Sequence, residues 1–252
     1  MWLSKRTWER DAVKLRVLYT YPGLATQMIV EADDDLLMVD IGDGSLRDLV
    51  LNIPDFRRRL SGILVTHEHF DHVGGLFSLL NYLHMVGRTS PLQVIVPRPS
   101  VIASSFYALQ RTYRASMGDA VSFPVSIVDV SDQDRVQIGV FHVKAFSVRH
   151  RGSTAAKPDG PHVPAVGYSL EVKGQRLVFS GDTGPCEPLK TEVKGADLAV
   201  IEATYATKSP IADIHMSVEE AEELGHKAKE YILIHARTDQ YPDPSRLSIQ
   251  NR

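Results

Sequence analysis

The segment that decides the fold and chemistry of this chain is Thr66-His67-Glu68-His69-Phe70-Asp71-His72, which directly follows the apolar run Gly62-Ile63-Leu64-Val65. The run is typical of a buried strand, and four potential metal ligands lie within the six residues that begin at His67. In an extended segment His67 and His69 point the same way, while the following turn swings Asp71 and His72 toward a neighbouring point. Imidazole and carboxylate groups favour zinc and related divalent metals. The segment therefore predicts a site for two adjacent cations.

Apolar patterns on both sides of this segment predict strands in two blocks, with helices among them. The predicted strands are Leu15–Tyr19, Gln27–Glu31, Leu36–Ile41, Gly62–Thr66, Gln93–Val96, Val125–Val130, Val136–Val148, Ala165–Val172, Arg176–Ser180, Leu198–Ile201 and Tyr231–Ile234. The predicted helices are Val73–Met85, Ser100–Met117 and Val218–Lys229. This order indicates a layered α/β sandwich. We expect residues 1–252 to form a single domain, because a chain of this length commonly folds as one α/β unit.

The composition narrows the classes of function. Cys186 is the only cysteine, so a metal site must use nitrogen and oxygen ligands. The formal net charge of -3 argues against a broad basic surface for nucleic acid. The sequence contains no apolar run long enough to cross a bilayer, and its first residues lack the apolar stretch of a secretion signal. We therefore expect a cytoplasmic protein without a membrane partner.

Three further candidate ligands lie where other predicted strands stop. His150 follows the strand that ends at Val148, and His235 follows the strand Tyr231–Ile234. Asp182 lies in Ser180-Gly181-Asp182-Thr183-Gly184, where glycine lets the backbone turn close to an ion. Functional side chains concentrate at such strand ends, and a carboxylate at Asp182 could bridge two metals.

Taken in order, these motifs resemble the signature of the metallo-β-lactamase superfamily over roughly Leu36 to His235. The resemblance implies a four-layer αββα sandwich. It implies one metal on His67, His69 and His150, a second on Asp71, His72 and His235, and Asp182 shared by both. Asp40 matches an early aspartate of the family that supports the metal ligands from behind. His162 is an alternative to His150, because some relatives place this histidine close to a Gly-Tyr pair, here Gly167-Tyr168; we prefer His150, which directly ends a strand.

Two later motifs resemble the ribonuclease Z branch and its phosphodiesterase relatives: Glu202-Ala203-Thr204-Tyr205 and His215-Met216-Ser217. In that branch an acidic residue orients a histidine near the scissile phosphate. The resemblance implies that Glu202 keeps His215 charged, that His215 assists the leaving oxygen, and that Asp71 positions the attacking hydroxide.

The predicted activity is that of a dinuclear phosphodiesterase in which a metal-bridging hydroxide attacks the phosphodiester. We expect two divalent ions, with zinc preferred and manganese or iron as alternatives. The segment between His150 and Asp182 is too short for the arm that grips transfer RNA, so the expected substrate is a small phosphodiester or RNA. The alternative is a lactonase or thioesterase, which has no need for Glu202 and His215.

Relatives are often dimers, which suggests a homodimer. Arg149 and Arg151 either contact substrate phosphate or face solvent.

Overall fold

Two β-sheets form the frame of the computed structural model, which describes residues 6–106, 108, 111, 123–152, 157, 159–208 and 214–236. The first sheet has strands in the order of the sequence: β1 Thr7–Arg10, β2 Val13–Tyr21, β3 Ala25–Ala32, β4 Asp35–Ile41, β5 Leu60–Leu64, β6 Leu92–Pro97 and β7 Val125–Val130. Strands β1 to β4 pair antiparallel, and β4 to β7 pair parallel.

The second sheet has the order β13-β12-β11-β10-β9-β8. Its strands are β8 Arg135–Ile138, β9 Phe141–Ser147, β10 Val166–Val172, β11 Gln175–Phe179, β12 Leu198–Glu202 and β13 Tyr231–Ile234. Strands β8 to β11 pair antiparallel, whereas β11, β12 and β13 run parallel. The fully buried β12 is apolar up to its last residue, Glu202, because parallel strands bury both faces.

Helices cover the outer faces of both sheets. They are α1 Ser45–Asn52, α2 Phe56–Arg59, α3 Phe70–Val73, α4 Leu76–Met85, α5 Glu187–Val193 and α6 Val218–Gly225, with further helical turns over residues 101–106. Helix α6 begins at a capping box, in which Ser217 and Glu220 satisfy each other's backbone N–H groups. No helix in the described part of the chain combines the length and the hydropathy needed to cross a bilayer.

Three apolar cores separate these layers. The central core lies between the sheets and includes Phe141, Tyr168 and Phe179. A second core packs helices α1 to α4 on the first sheet, and a third packs α5 and α6 on the second sheet. The predicted four-layer αββα sandwich is therefore confirmed.

The structure corrects several predicted boundaries. The predicted strand Val136–Val148 is wrong as one element: it divides into β8 and β9, because Gly139 turns the chain at a φ of 53°. The last helix ends at Gly225 rather than Lys229. The predicted helix Val73–Met85 begins at Leu76 instead, as α4, and Val73 is the last residue of the separate short helix α3. Strand β1 and helices α1 and α5 were not predicted. The end of the predicted helix Ser100–Met117, from residue 112 onward, lies outside the described residues.

Candidate metal centre and active site

The candidate site lies at one end of the sandwich, where strands from both sheets stop. In the first sheet β4 ends beside Asp40, and the histidine-rich segment follows β5. In the second sheet Asp182 follows β11, and His235 follows β13. Parallel strands point their carboxyl ends the same way, which is why positions far apart in sequence meet at this edge.

Four overlapping groups of side chains at this edge could each hold a metal ion, with ligand atoms within 4.8 Å of one another. The groups are His67, His69 and His150; His67, His72 and Asp182; Asp71, His72 and His235; and Asp182, His215 and His235. Each of the seven preferred ligands from the sequence is in at least one of these groups, and the alternative, His162, is in none.

The first group is an arrangement of three imidazoles. The Nδ1 atom of His69 lies 3.0 Å from Nε2 of His67 and 3.2 Å from Nε2 of His150. The other ring nitrogen of His150 meets the backbone carbonyl of Ile214 at 2.9 Å, so Nδ1 carries the proton and Nε2 presents a lone pair. Three nitrogens that converge in this way form an N₃ face for a cation.

Another of these groups, Asp71, His72 and His235, joins one carboxylate to two imidazoles. Nε2 of His235 lies 3.4 Å from an oxygen of Asp71, and Nε2 of His72 lies 3.8 Å from that same oxygen. The backbone N–H of Gly23 donates to this oxygen of Asp71 at 2.8 Å. The turn between β2 and β3 therefore holds the carboxylate in place.

Asp182 lies between the three-histidine group and the group of Asp71, His72 and His235. One of its carboxylate oxygens is 3.4 Å from Nε2 of both His72 and His235, and 3.9 Å from Nε2 of His67. The side chain is almost fully buried, and its other oxygen has no hydrogen-bond partner among the described residues. This position suits a carboxylate that is shared by two cations.

Asp40 supports the ligands from behind, in the place the sequence suggested. Its carboxylate accepts hydrogen bonds from the Thr66 backbone N–H at 2.8 Å and from the Thr66 hydroxyl at 3.0 Å. It also lies 2.8 Å from Nδ1 of His72, which leaves Nε2 of that ring for a metal. Asp40 and His235 both have positive φ angles, 56° and 54°, and such strain in residues other than glycine concentrates at functional sites.

Thr204 is a site residue that the sequence reasoning missed. Its hydroxyl donates to Glu202 at 2.8 Å and accepts from Nδ1 of His235 at 2.8 Å. Thr66 makes the same pair of contacts, donating to Asp40 and accepting from Nδ1 of His67 at 3.2 Å. The two threonines occur in the quoted motifs, but nothing in a single sequence separates a proton-orienting threonine from an ordinary one at a strand end.

Glu202 and His215 meet as the resemblance implied. Nδ1 of His215 lies 2.9 Å from Glu202, and this ring lies beside His150 and His235, with centroids 5.1 Å and 5.4 Å apart. Burial would lower the pKa of His215, but the charge and hydrogen bond of Glu202 outweigh it and raise the pKa above its ordinary value. A buried carboxylate thus favours the protonated imidazole next to the candidate metal ligands.

The pKa values of the other histidines are shifted in different directions. Burial lowers the pKa of His150 to about 3 and that of His67 well below its ordinary value, so both rings are neutral, which is the form that binds metals. Burial would also lower the pKa of His72, but the carboxylates of Asp182 and Asp40 raise it well above its usual range. A divalent cation would satisfy the same negative charge.

The carboxylates of the cluster are ionised. Burial would raise the pKa of Asp71, but its hydrogen bond to His235 and the charge of His72 lower the pKa to about 2. Burial likewise opposes ionisation of Asp182, yet His235 and His72 hold its pKa well below the ordinary value. The neutral rings of His67 and His150, the ionised carboxylates, and the unpartnered buried atoms of His72 and Asp182 together fit divalent metal ions.

His162 does not join the cluster. Its Nδ1 atom faces the backbone carbonyl of His150 at 3.3 Å, and residues 151 and 162 form a bridge between two loop segments. The structure therefore places His150, not His162, among the candidate ligands. Arg151 donates to the carbonyl of Gly160 at 3.2 Å, which gives this guanidinium a structural contact beside the site.

Comparison with known proteins identifies the family. The family profile described as a beta-lactamase superfamily domain matches residues 46–236, a span that includes all seven nominated ligands. Ribonuclease Z from Myxococcus xanthus is 28% identical over 269 aligned positions, which cover 89% of this chain and 85% of that protein. Ribonuclease Z from a Bradyrhizobium species is 29% identical, covering 73% of this chain and 71% of that protein.

Solved structures share the fold. The metallo-beta-lactamase fold protein YhfI from Bacillus subtilis superposes with a TM-score of 0.72 at 18% identity, covering 94% of this chain and 91% of its own. The short form of human tRNase Z superposes with a TM-score of 0.69 at 20% identity, covering 90% of this chain and 93% of its own. Because the family profile matches more than half of the sequence, this chain belongs to the beta-lactamase superfamily, and its ribonuclease Z-like sequence identifies it as a metal-dependent hydrolase.

Proposed function

We propose that this chain is a phosphodiesterase that works with two divalent metal ions, preferably zinc, and that its substrate is RNA or a smaller phosphodiester. The observation that carries the proposal is the contact between His215 and Glu202 beside the metal cluster. A hydrolase of lactones or thioesters needs metal ligands but has no evident use for a protonated imidazole at this place. The similarity to proteins named ribonuclease Z supports the same reaction class.

The two groups of ligands supply places for two ions. His67, His69 and His150 would hold one ion, while Asp71, His72 and His235 would hold the other, with Asp182 shared. When bound, such ions lower the pKa of a water molecule and polarise a phosphoryl oxygen. The nitrogen and carboxylate ligands are compatible with zinc, and also with manganese or iron.

The residues around the ligands have separate tasks in this proposal. Asp71, fixed by the Gly23 N–H, orients the attacking water through its ionised carboxylate. His215 holds one proton on Nδ1 against Glu202, so its second proton, on Nε2, is available to the leaving oxygen of the ester. Glu202 is fully buried and accepts five hydrogen bonds, which prevents it from turning away from His215.

The proposal is tested by hydrolysis of bis(p-nitrophenyl) phosphate with metal-reconstituted protein, using chelated protein as the blank. We expect metal-dependent turnover of this substrate. On the dinucleoside phosphate UpU, whose leaving alkoxide needs a proton, we expect His215→Ala to lower kcat by ~10²–10⁴-fold at unchanged metal content, the usual contribution of a general acid. His142→Ala is the matched control, because His142 is an exposed histidine of β9 outside the candidate site. Equal turnover of UpU by the His215 variant and the wild type would remove this residue from the mechanism. Turnover of lactones or thioesters, without turnover of the phosphodiester, would refute the proposed reaction.

The remaining expectations stay predictions from the sequence. These are the single domain spanning the whole chain, the homodimer and the cytoplasmic location. Sedimentation of the metal-loaded protein would decide the oligomeric state.

A further inference from the structure

Phe70 has an unusual place in the molecule. It lies between His69 and Asp71, two candidate metal ligands, and its side chain is 86% exposed, the largest value among the exposed large apolar residues of the described chain. Its ring belongs to none of the three cores. Burying such a ring would contribute about 1.5–3 kcal/mol, so packing does not explain a phenylalanine here.

Exposed apolar side chains are common on protein surfaces, so exposure alone has little meaning. The position of Phe70 gives it meaning, because two other exposed apolar residues lie on segments that are hydrogen-bonded to the same motif. Leu24, 50% exposed, follows Gly23, whose N–H donates to Asp71 at 2.8 Å. Val101, 70% exposed, donates its own N–H to Glu68 at 2.9 Å. We call Leu24, Phe70 and Val101 the apolar rim.

Phe70 is bonded directly between two residues of the candidate site, His69 and Asp71. The Cα atom of Phe70 is about 3.8 Å from the Cα atoms of both His69 and Asp71, because consecutive Cα atoms are separated by this distance. A group next to a phosphodiester held at the candidate ligands would therefore approach the segment that carries the exposed phenyl ring. The rim carries no charge, so it suits the uncharged part of an ester and not the phosphate.

A planar nucleobase fits this position best. Proteins that bind single-stranded nucleic acid without a preferred sequence stack bases on exposed aromatic rings, because every base has a π face. A sugar alone offers no such face. Three separate side chains are also too few for the apolar core of a protein interface, which requires a much larger buried area.

We propose that Phe70, flanked by Leu24 and Val101, is a stacking platform for the nucleobase next to the scissile phosphodiester. The chain then acts on nucleotide esters and discriminates against phosphodiesters of sugars without a base. This inference rests on the proposed phosphodiesterase function and specifies its substrate class. Phe70 is a specificity-determining residue in this account, not a catalytic one.

The first test measures binding and needs no turnover. Phe70→Trp in metal-reconstituted protein places a fluorescent ring on the platform, and the wild-type protein, with its own two tryptophans, gives the background. We expect AMP to quench the added fluorescence, and ribose 5-phosphate at equal concentration to leave it nearly unchanged. Equal responses to both ligands, or no response to AMP, would overturn the platform.

The second test compares the dinucleoside phosphate UpU with an analogue that lacks both bases. We expect Phe70→Ala to lower kcat/KM for UpU by ~5- to 150-fold, the range that corresponds to ~1–3 kcal/mol of stacking per base. The same variant should change kcat/KM for the abasic analogue by less than ~2-fold, because a lost stack has no effect where no base exists. Phe77→Ala is the matched control, since Phe77 is a partly exposed phenylalanine of α4 outside the rim.

The two tests separate failure of the platform from failure of the proposed function. Equal losses on UpU and the abasic analogue would show that Phe70 acts on folding or metal binding, and would overturn the platform while leaving a phosphodiesterase. AMP-specific quenching in a protein that hydrolyses neither diester would refute the phosphodiesterase proposal, but would keep the base-binding platform.

Discussion

Replacing Thr204 with valine tests how the protein orients a metal ligand. The hydroxyl of Thr204 donates to Glu202 and accepts the Nδ1 proton of His235, both at 2.8 Å. This arrangement keeps the lone pair of His235 on Nε2, the atom that faces Asp71 and Asp182. Valine has a similar shape but can make neither contact, so the ring loses what fixes its tautomer and direction.

Two separate effects should follow, one on metal affinity and one on folding stability. Loss of a partner behind a metal-binding histidine typically lowers metal affinity by ~10–100-fold, or ~1.4–2.7 kcal/mol. The buried Nδ1–H of His235 also loses its acceptor, which costs about 1–3 kcal/mol of folding free energy. For a protein of this size each kcal/mol lowers the Tm by about 2–4 °C.

Competition with a fluorescent zinc chelator measures the first effect, and thermal unfolding of the chelated protein measures the second. Thr204→Ser keeps the hydroxyl and should retain the zinc affinity of the wild type. Thr191→Val is the control for a generic threonine substitution, because Thr191 is exposed on α5 and bonds only a helix carbonyl. Wild-type zinc affinity in Thr204→Val, whatever its Tm, would refute the role of this hydroxyl in orienting His235.

Two further predictions concern charge. Glu202 raises the pKa of His215, so Glu202→Gln should lower that pKa. Because His215 must be protonated to act as an acid, the alkaline limb of the pH–kcat profile should then move to lower pH. An unmoved limb would contradict the assignment of His215 as the acid. Chelation should destabilise the protein, because ions that bind only the folded state contribute ~4 kcal/mol at a thousand times their Kd, equivalent to a fall in Tm of ~8–16 °C. An identical Tm for chelated and metal-loaded protein would count against metal binding at the buried carboxylates.

The side chains that the sequence nominated as ligands lie close together in the structure, and there is a physical reason why the sequence could nominate them. His67, His69, Asp71 and His72 are adjacent in the chain, and a buried strand before a ligand-rich turn is visible without a structure. His235 follows a strand whose bounds, Tyr231–Ile234, agree with the structure. A ligand motif needs only local geometry to be recognised.

Features that depend on pairing between distant segments were less predictable. Strand β1 is short, and its place in the sheet depends on hydrogen bonds to β2 rather than on its own pattern. The division between β8 and β9 depends on one glycine within an otherwise regular alternation. Thr66 acquires its role only when Asp40 of β4 lies beside it, and Thr204 only when His235, which follows β13, lies beside it. A single sequence does not contain those distances.

The buried carboxylates behind the cluster follow one rule in both sheets. Asp40, in β4, meets Nδ1 of His72 directly and reaches Nδ1 of His67 through the Thr66 hydroxyl. Glu202, at the end of β12, meets Nδ1 of His215 directly and reaches His235 through the Thr204 hydroxyl.

Each sheet thus contributes one acid that orients two imidazoles, one by direct contact and one through a threonine. The sheets are joined next to this arrangement, where Tyr168 of β10 donates to the carbonyl of Val65 at 2.8 Å and Val166 donates to that of Thr66 at 2.9 Å. The distance between the two sets of histidines is therefore set by how the sheets pack. The buried acids and threonines fix each set of histidines to its own sheet. A shift of one sheet against the other would therefore move the histidines of that sheet together.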